Sequence, residues 1–227
     1  MRKTEFLELL AFHIGPLSIG ATVLTTWLVM ALLTGLAWFG TRRLSVATPS
    51  RLQTMLEGAL LAMQHAIEAV APGYAAQLLP FIGSLWVFIA AANLIGLVPG
   101  LASPTDNLSL TVALAMLVFF SVHWFGIRID GFKAYLRHYL DPNPLFLPFH
   151  LLGEITRTLT LAIRLFGNMM SLELAALLVL LVAGFLVPVP LLMLHIVEAL
   201  VQAYIFGMLA LVYVAGALQF HELKRED

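Results

Sequence analysis

Charge is missing from this chain over stretches too long for a soluble helix. No Asp, Glu, Lys or Arg occurs from Leu9 to Thr41 (33 residues), Ala69 to Thr105 (37), Asn107 to Ile127 (21), Leu174 to Val197 (24) or Ala199 to His221 (23). Roughly 20 apolar residues carry a helix across a bilayer core about 30 Å thick. The gaps predict an all-α integral membrane fold with five spans, at 17–41, 78–99, 107–127, 145–177 and 187–220, in one membrane domain covering 1–227. Apolar residues make up 61% and charged residues 11% of the chain, against about 25% charged in a soluble domain. That excludes a water-soluble enzyme and a disordered chain. A formal net charge of −1 leaves no basic footprint for nucleic acid. The absence of Cys excludes disulfides and thiolate metal sites.

The first span is too long for the apolar core of a signal peptide, Gly15-Pro16 breaks its approach, and no small-residue cleavage site follows a short core. It is expected to be retained. Orientation follows from Lys and Arg in short loops. Arg42, Arg43 and Arg51 follow span one, Arg128, Lys133 and Arg137 follow span three, and Lys224 and Arg225 follow span five. The loop Val98–Pro104 and the turn Val187-Pro188-Val189-Pro190 carry none. The basic clusters thus share one side, expected to be cytoplasmic, with the N-terminus outside and the C-terminus inside. Arg2 and Lys3 run against this, accompanied by Glu5 and Glu8.

Residues 51–71 differ from the spans. Leu52, Met55, Leu56, Ala59, Leu60, Met63, Ile67 and Val70 recur at helical spacing, with Gln53, Glu57, Gln64 and Glu68 between them. This predicts an amphipathic helix, with Ser50 as N-cap, lying in the cytoplasmic interface; a soluble connector helix is the competing reading. Spans four and five, at about 33 residues each, measure roughly 50 Å. They exceed the bilayer and have no proline after Pro148 and Pro190, respectively. A long, steeply tilted antiparallel hairpin is expected.

Charges inside spans are costly and mark function by default. Arg157, Arg164, Glu173 and Glu198 sit within the last two spans. Arg164 is too deep to snorkel easily and cannot lose its proton. Its alternative is a structural ion pair. Thr160, Arg164, Asn168 and Ser171 share one helical face, as do His195, Glu198 and Gln202. Glu173 lies about 13 Å further out than Arg164, and Gln202 roughly 10 Å deeper than His195. Titratable groups therefore occupy the outer half, with a fixed cation and an amide near the middle. A row of this kind suits a proton path; His195 and Glu198 could equally stitch two helices together. They supply only two metal ligands. His221-Glu222 lacks the second His of a zinc-protease motif, and no Gly-rich phosphate loop occurs.

The block Arg164-Leu165-Phe166-Gly167-Asn168-Met169, with Glu173 beyond it, resembles the signature of subunit a of F-type ATP synthases. His195 followed by Gln202-Ala203-Tyr204-Ile205-Phe206 is similar to that family's final helix. Weaker likenesses are Asn93-Leu94-Ile95-Gly96-Leu97-Val98-Pro99-Gly100, Pro104-Thr105 leading to Asn107-Leu108-Ser109, and Gly15–Ile19 before Thr25-Thr26-Trp27. The resemblance spans roughly residues 15 to 215.

It implies a non-catalytic Fo stator subunit of a rotary ATP synthase in a bacterial inner membrane. Two offset half-channels would pass protons to and from the carboxylates of the c-subunit ring. Arg164 would face that ring and prevent leak, while Asn168, Glu173, His195 and Gln202 would line or flank the half-channels. Glu198 departs from the apolar residue expected in many relatives, and would add to the outer path. The ring, the b subunits and other synthase subunits are the implied partners, with no cofactor and no nucleotide bound directly. Sodium-coupled members exist, and the ion is chosen mainly on the ring. Among rivals, an ion-coupled secondary transporter would show repeated halves with broken helices, whereas spans one to three carry no counterpart of the polar face of span four. An intramembrane enzyme would need a nucleophile and base, for which Ser171 with His195 is the only loose candidate.

Overall fold

The computed structural model describes residues 13–14, 17–18, 20–42, 44–45, 49–98, 101, 103–131, 147–183 and 188–219. Gly15-Pro16, Arg43, Pro99-Gly100, Lys133, Arg137, Val187, Lys224 and Arg225, used above for span breaks and orientation, lie outside them. Among the described residues the chain forms six α-helices: α1 Ala21–Thr41, α2 Arg51–Val70, α3 Ala75–Leu94, α4 Leu108–Asp130, α5 Leu147–Ala183 and α6 Pro188–Gln219. All but α2 are long and apolar enough to cross a membrane. The chain is therefore an all-α membrane protein. One minor feature stands outside that class: two-residue strands β1 (His13–Ile14) and β2 (Leu17–Ser18) pair antiparallel before α1. Residues 17–18, expected within the first span, are thus extended, and α1 begins three residues later.

Local sequence sets the boundaries. Ser50 caps α2, its Oγ accepting from the Gln53 amide at 3.2 Å. Asn107 caps α4 by accepting from Ser109 N at 2.9 Å, and its Nδ2 donates to Thr22 Oγ1 at 3.1 Å, tying α4 to α1. Two short 3₁₀ turns lie between α3 and α4: Ile95–Leu97, which replaces the last turn expected of span two, and Pro104–Asp106. Gly73 turns the chain between α2 and α3 at φ 77°, a region open to glycine without strain.

The core lies where α3, α4, α5 and α6 meet. Leu78, Ile82, Leu85 and Ile89 of α3, Leu114, Ala115 and Val118 of α4, Leu161 and Leu165 of α5, and Phe206, Ala210, Leu211 and Val214 of α6 form one buried cluster. Ile67 of α2 joins it from the side. The most extensive packing is between α3 and α6. There the Trp86 indole stacks on Tyr204 at 5.9 Å and 12°, and its Nε1–H donates to the Tyr204 carbonyl at 3.1 Å. Gly207 makes this possible, because a Cβ there would overlap the indole. By contrast, Leu52, Met55, Leu56 and Leu60 of α2 point away from the protein, leaving an apolar face over the first half of that amphipathic helix.

Candidate functional site

Two contacts fix the register of α5 against α6. Asn168 Nδ2 donates to Gln202 Oε1 at 2.8 Å, and the Arg157 guanidinium lies 4.6 Å from the centroid of the Tyr213 ring. Eleven residues forward on α5 correspond to eleven back on α6, so the two helices run antiparallel in step. The register sets Arg164 level with Phe206, Glu173 level with Val197, and Glu198 level with Leu172. Glu173, His195 and Glu198 consequently gather at one end of the hairpin, all three half-buried. Asn168 and Gln202 sit about one turn from Arg164 on the same side.

Arg164 itself is exposed on the outer surface of α5. Thr156, Arg157 and Thr160 are exposed with it, and the hydroxyls of Thr156 and Thr160 are spent on carbonyls one turn back, at 2.8 Å each. Apolar neighbours flank this polar stripe: Leu159 is 52% and Ile163 59% exposed. Immediately behind, Leu161, Ala162, Leu165 and Met169 are buried. The helix therefore presents a guanidinium outward from an apolar wall, its inner face packed tightly enough to hold the outer face in place.

Gln202 is 2% exposed. Its oxygen is taken by Asn168, while its Nε2 meets no acceptor among the described residues. A buried amide donor left in this way costs free energy, and it suits a polar path better than a packed helix joint.

His195 turns toward α3 rather than α5. Its Nε2 lies 3.4 Å from the Asn93 carbonyl, at the long limit of a hydrogen bond. Asn93, 0% exposed, is the hub of a buried network. Its Nδ2 donates to the Ala199 carbonyl at 3.1 Å, and its Oδ1 accepts from Thr105 Oγ1 at 2.7 Å. Ser103 Oγ lies 2.8 Å from the Ala92 carbonyl and 2.7 Å from Thr105 Oγ1. With the Thr105 proton on Asn93, Ser103 has one proton to share between those two acceptors. This network clamps the end of α3 to the segment of α6 that carries His195 and Glu198.

Of the six residues singled out from sequence, Asn168 and Gln202 bond directly, and the hairpin register groups Glu173, His195 and Glu198. Arg164 lies about one turn from the first pair and stands apart from the second group along the helix. Sequence reasoning passes over the supports: Asn93 and Thr105 entered only through weak family likeness, and Ser103, Trp86 and Gly207 are not singled out at all. Their signal is a polar or small residue inside an apolar span, legible only when the facing helix is known. His123 escapes a search that counts only Asp, Glu, Lys and Arg, and Glu154 lies within the expected fourth span without being singled out there. They approach within 3.4 Å across α4 and α5.

Comparison with known proteins places the chain in a family. The family described as ATP synthase A chain matches residues 23–215. ATP synthase subunit a 2 of Pelobacter propionicus is 62% identical over 214 residues, covering 94% of this chain and 93% of that protein. ATP synthase subunit a of Legionella pneumophila (strain Corby) is 55% identical over 226 residues, 100% and 98%. ATP synthase subunit a 1 of Hahella chejuensis is 61% identical over 207 residues, 91% and 88%. With its five membrane-length helices and these bacterial relatives, the chain belongs to the ATP synthase A chain family, the membrane-embedded Fo subunit a of F-type ATP synthases.

Proposed function

We propose that this chain is the non-catalytic stator of Fo, conveying protons between two offset half-channels and the carboxylates of a rotating c-subunit ring. The observation that carries this reading is Arg164, a permanent cation held outward on an apolar helix face. A ring carboxylate entering lipid as an anion is strongly disfavoured, so it must be neutralised first. Opposite Arg164 it can ionise. The guanidinium thereby promotes proton release on one side and bars direct passage past itself. Rotation then carries the neutral carboxyl through lipid to the other half-channel. A transmembrane gradient biases the direction by about 2.3 kcal/mol per charge per 100 mV.

Glu173, His195 and Glu198 would serve the outer half-channel, since their shared end of the hairpin lies opposite Arg128 and Arg157. Asn168 and Gln202 would flank Arg164. Ring, b subunits and the other synthase subunits are the partners, and ATP chemistry resides among them. The basic clusters support a cytoplasmic C-terminus and an N-terminus outside. Ala102→Cys should label from outside intact cells and Lys133→Cys only after the inner face is opened; reversed labelling would contradict this orientation.

The functional test is Arg164→Ala in assembled complexes reconstituted into vesicles. Coupled pumping should cease and passive proton conductance should rise, because nothing would then separate the half-channels. Normal pumping without extra leak would defeat the reading.

A further inference from the structure

At the end of the hairpin opposite Glu173, His195 and Glu198, the helices leave a narrow cleft of about 20 Å³, room for about one water molecule, between α4, α5 and α6. It is lined by His123 and Phe119 of α4, Glu154, Arg157 and Thr158 of α5, and Tyr213 of α6. His123 Nε2 lies 3.4 Å from Glu154 Oε2, with both side chains partly buried. The other imidazole nitrogen, Nδ1, lies 2.9 Å from the Phe119 carbonyl. That carbonyl can only accept, so Nδ1 carries the proton in the neutral ring and Nε2 is the basic nitrogen facing the carboxyl. Such a pair can pass a proton between its members. Across the cleft mouth, Arg157 rests on the Tyr213 ring, and seven residues further along α5 it shares a face with Arg164. The cleft thus opens beside the same polar stripe that carries Arg164.

We propose that this cleft is the cytoplasmic mouth of the ion path, with Glu154 and His123 as its proton-relaying pair. The proposal rests on the stator reading above. In the synthesis direction a proton leaving a ring carboxyl near Arg164 reaches the Glu154 carboxylate. His123 Nε2 then takes it from Glu154, and the imidazolium releases it to cytoplasmic water. ATP-driven pumping runs the same transfers backward. Glu154 lies about 15 Å along α5 from Arg164, and Thr158 is one turn nearer; that span is bridged through water, as in other intramembrane proton paths. The charged or titratable groups lining the cleft are His123, Glu154, Arg157 and Tyr213, with His150 one turn before Glu154 and Arg128 near the end of α4 on their own helices. Arg157 keeps the region cationic, which disfavours entry of metal cations.

The test uses the assembled complex in inverted vesicles, whose exposed face is the cytoplasmic one. ATP-driven pumping is followed while pH is varied on that face alone, with complex content measured in parallel. Glu154→Gln should lower pumping by roughly tenfold, Glu154→Asp should recover most of it, and His123→Gln should change the pH profile on the cytoplasmic face. Because the chain has no cysteine, Thr158→Cys offers an independent reading. A membrane-impermeant thiol reagent should block pumping when applied from the cytoplasmic face and not from the other. Wild-type pumping at every pH in Glu154→Gln, or a Thr158→Cys unreactive from the cytoplasmic face, overturns the proposal. Arg164→Ala in the same assay separates the two claims: if it stops pumping while Glu154→Gln does not, the cleft is a structural joint and the stator reading stands.

Discussion

α5 and α6 are similar in length and apolar character, yet they are buried very differently. Half of the span carried by α6 is buried within the protein, against 11% of the span carried by α5. On α6, small residues make burial possible: Ala199, Ala203, Gly207 and Ala210 let α3 approach until Trp86 lies against the backbone. On α5, one narrow seam of Leu161, Ala162, Leu165 and Met169 is buried, and much of the remainder, including Arg164, is exposed. One helix fixes position and the other presents chemistry. On the proposed stator reading a cation can be held at a set depth only if the helix beneath it does not shift, and the packing of α6 would supply that support to Arg164.

That contrast can be broken most severely at Gly207. Gly207→Leu should drive Trp86 out of its seat and leave little assembled subunit in the membrane, measured by the amount of complex recovered. Gly207→Leu complexes recovered at wild-type levels would show that α6 is not the fixed element. Next in size is Asn93→Ala, which removes the donor to Ala199 and the acceptor for Thr105. A loss of about 1–3 kcal/mol is expected, seen as earlier thermal loss of the subunit from the solubilised complex. Smallest are Glu173→Gln and Glu198→Gln singly, each lowering proton flux modestly because the other group remains. Together they should cost more than the sum of the two; strict additivity would favour His195 and Glu198 as a helix joint rather than a shared path.

The hydrophobic pattern carries the coarse architecture well, because a bilayer leaves few solutions for an uncharged run of this length. The amphipathic helix at Arg51–Val70 is equally legible, since its Gln and Glu residues recur between apolar ones at helical spacing. The polar stripe through Thr160, Arg164 and Asn168 can be read because residues on one helix face are related by local geometry alone. The supports cannot be read this way. Asn93 and Ala199 are joined across 106 positions, Trp86 and Tyr204 across 118, and nothing local in either segment names the partner. His123 and Glu154 are hidden for a related reason. Each lies about two turns from one end of its helix, where a polar residue is unremarkable until the facing helix brings the other within reach. The beginning of α1 illustrates the limits of hydropathy in another way: Leu17 and Ser18 belong to an apolar run, yet they pair with Ile14 and His13 as strands.

The central claim is that Arg164 works as a permanent, outward-facing charge rather than as a structural ion pair, and Arg164→Lys tests it most directly. Lysine keeps a positive charge but lacks the planar fork, reaches less far and can lose its proton when desolvated. The measurement is ATP-driven proton pumping by reconstituted complexes shown to contain the full complement of subunits. The account predicts that Arg164→Lys assembles and fails to pump. Assembled Arg164→Lys complexes pumping at the normal rate would contradict it.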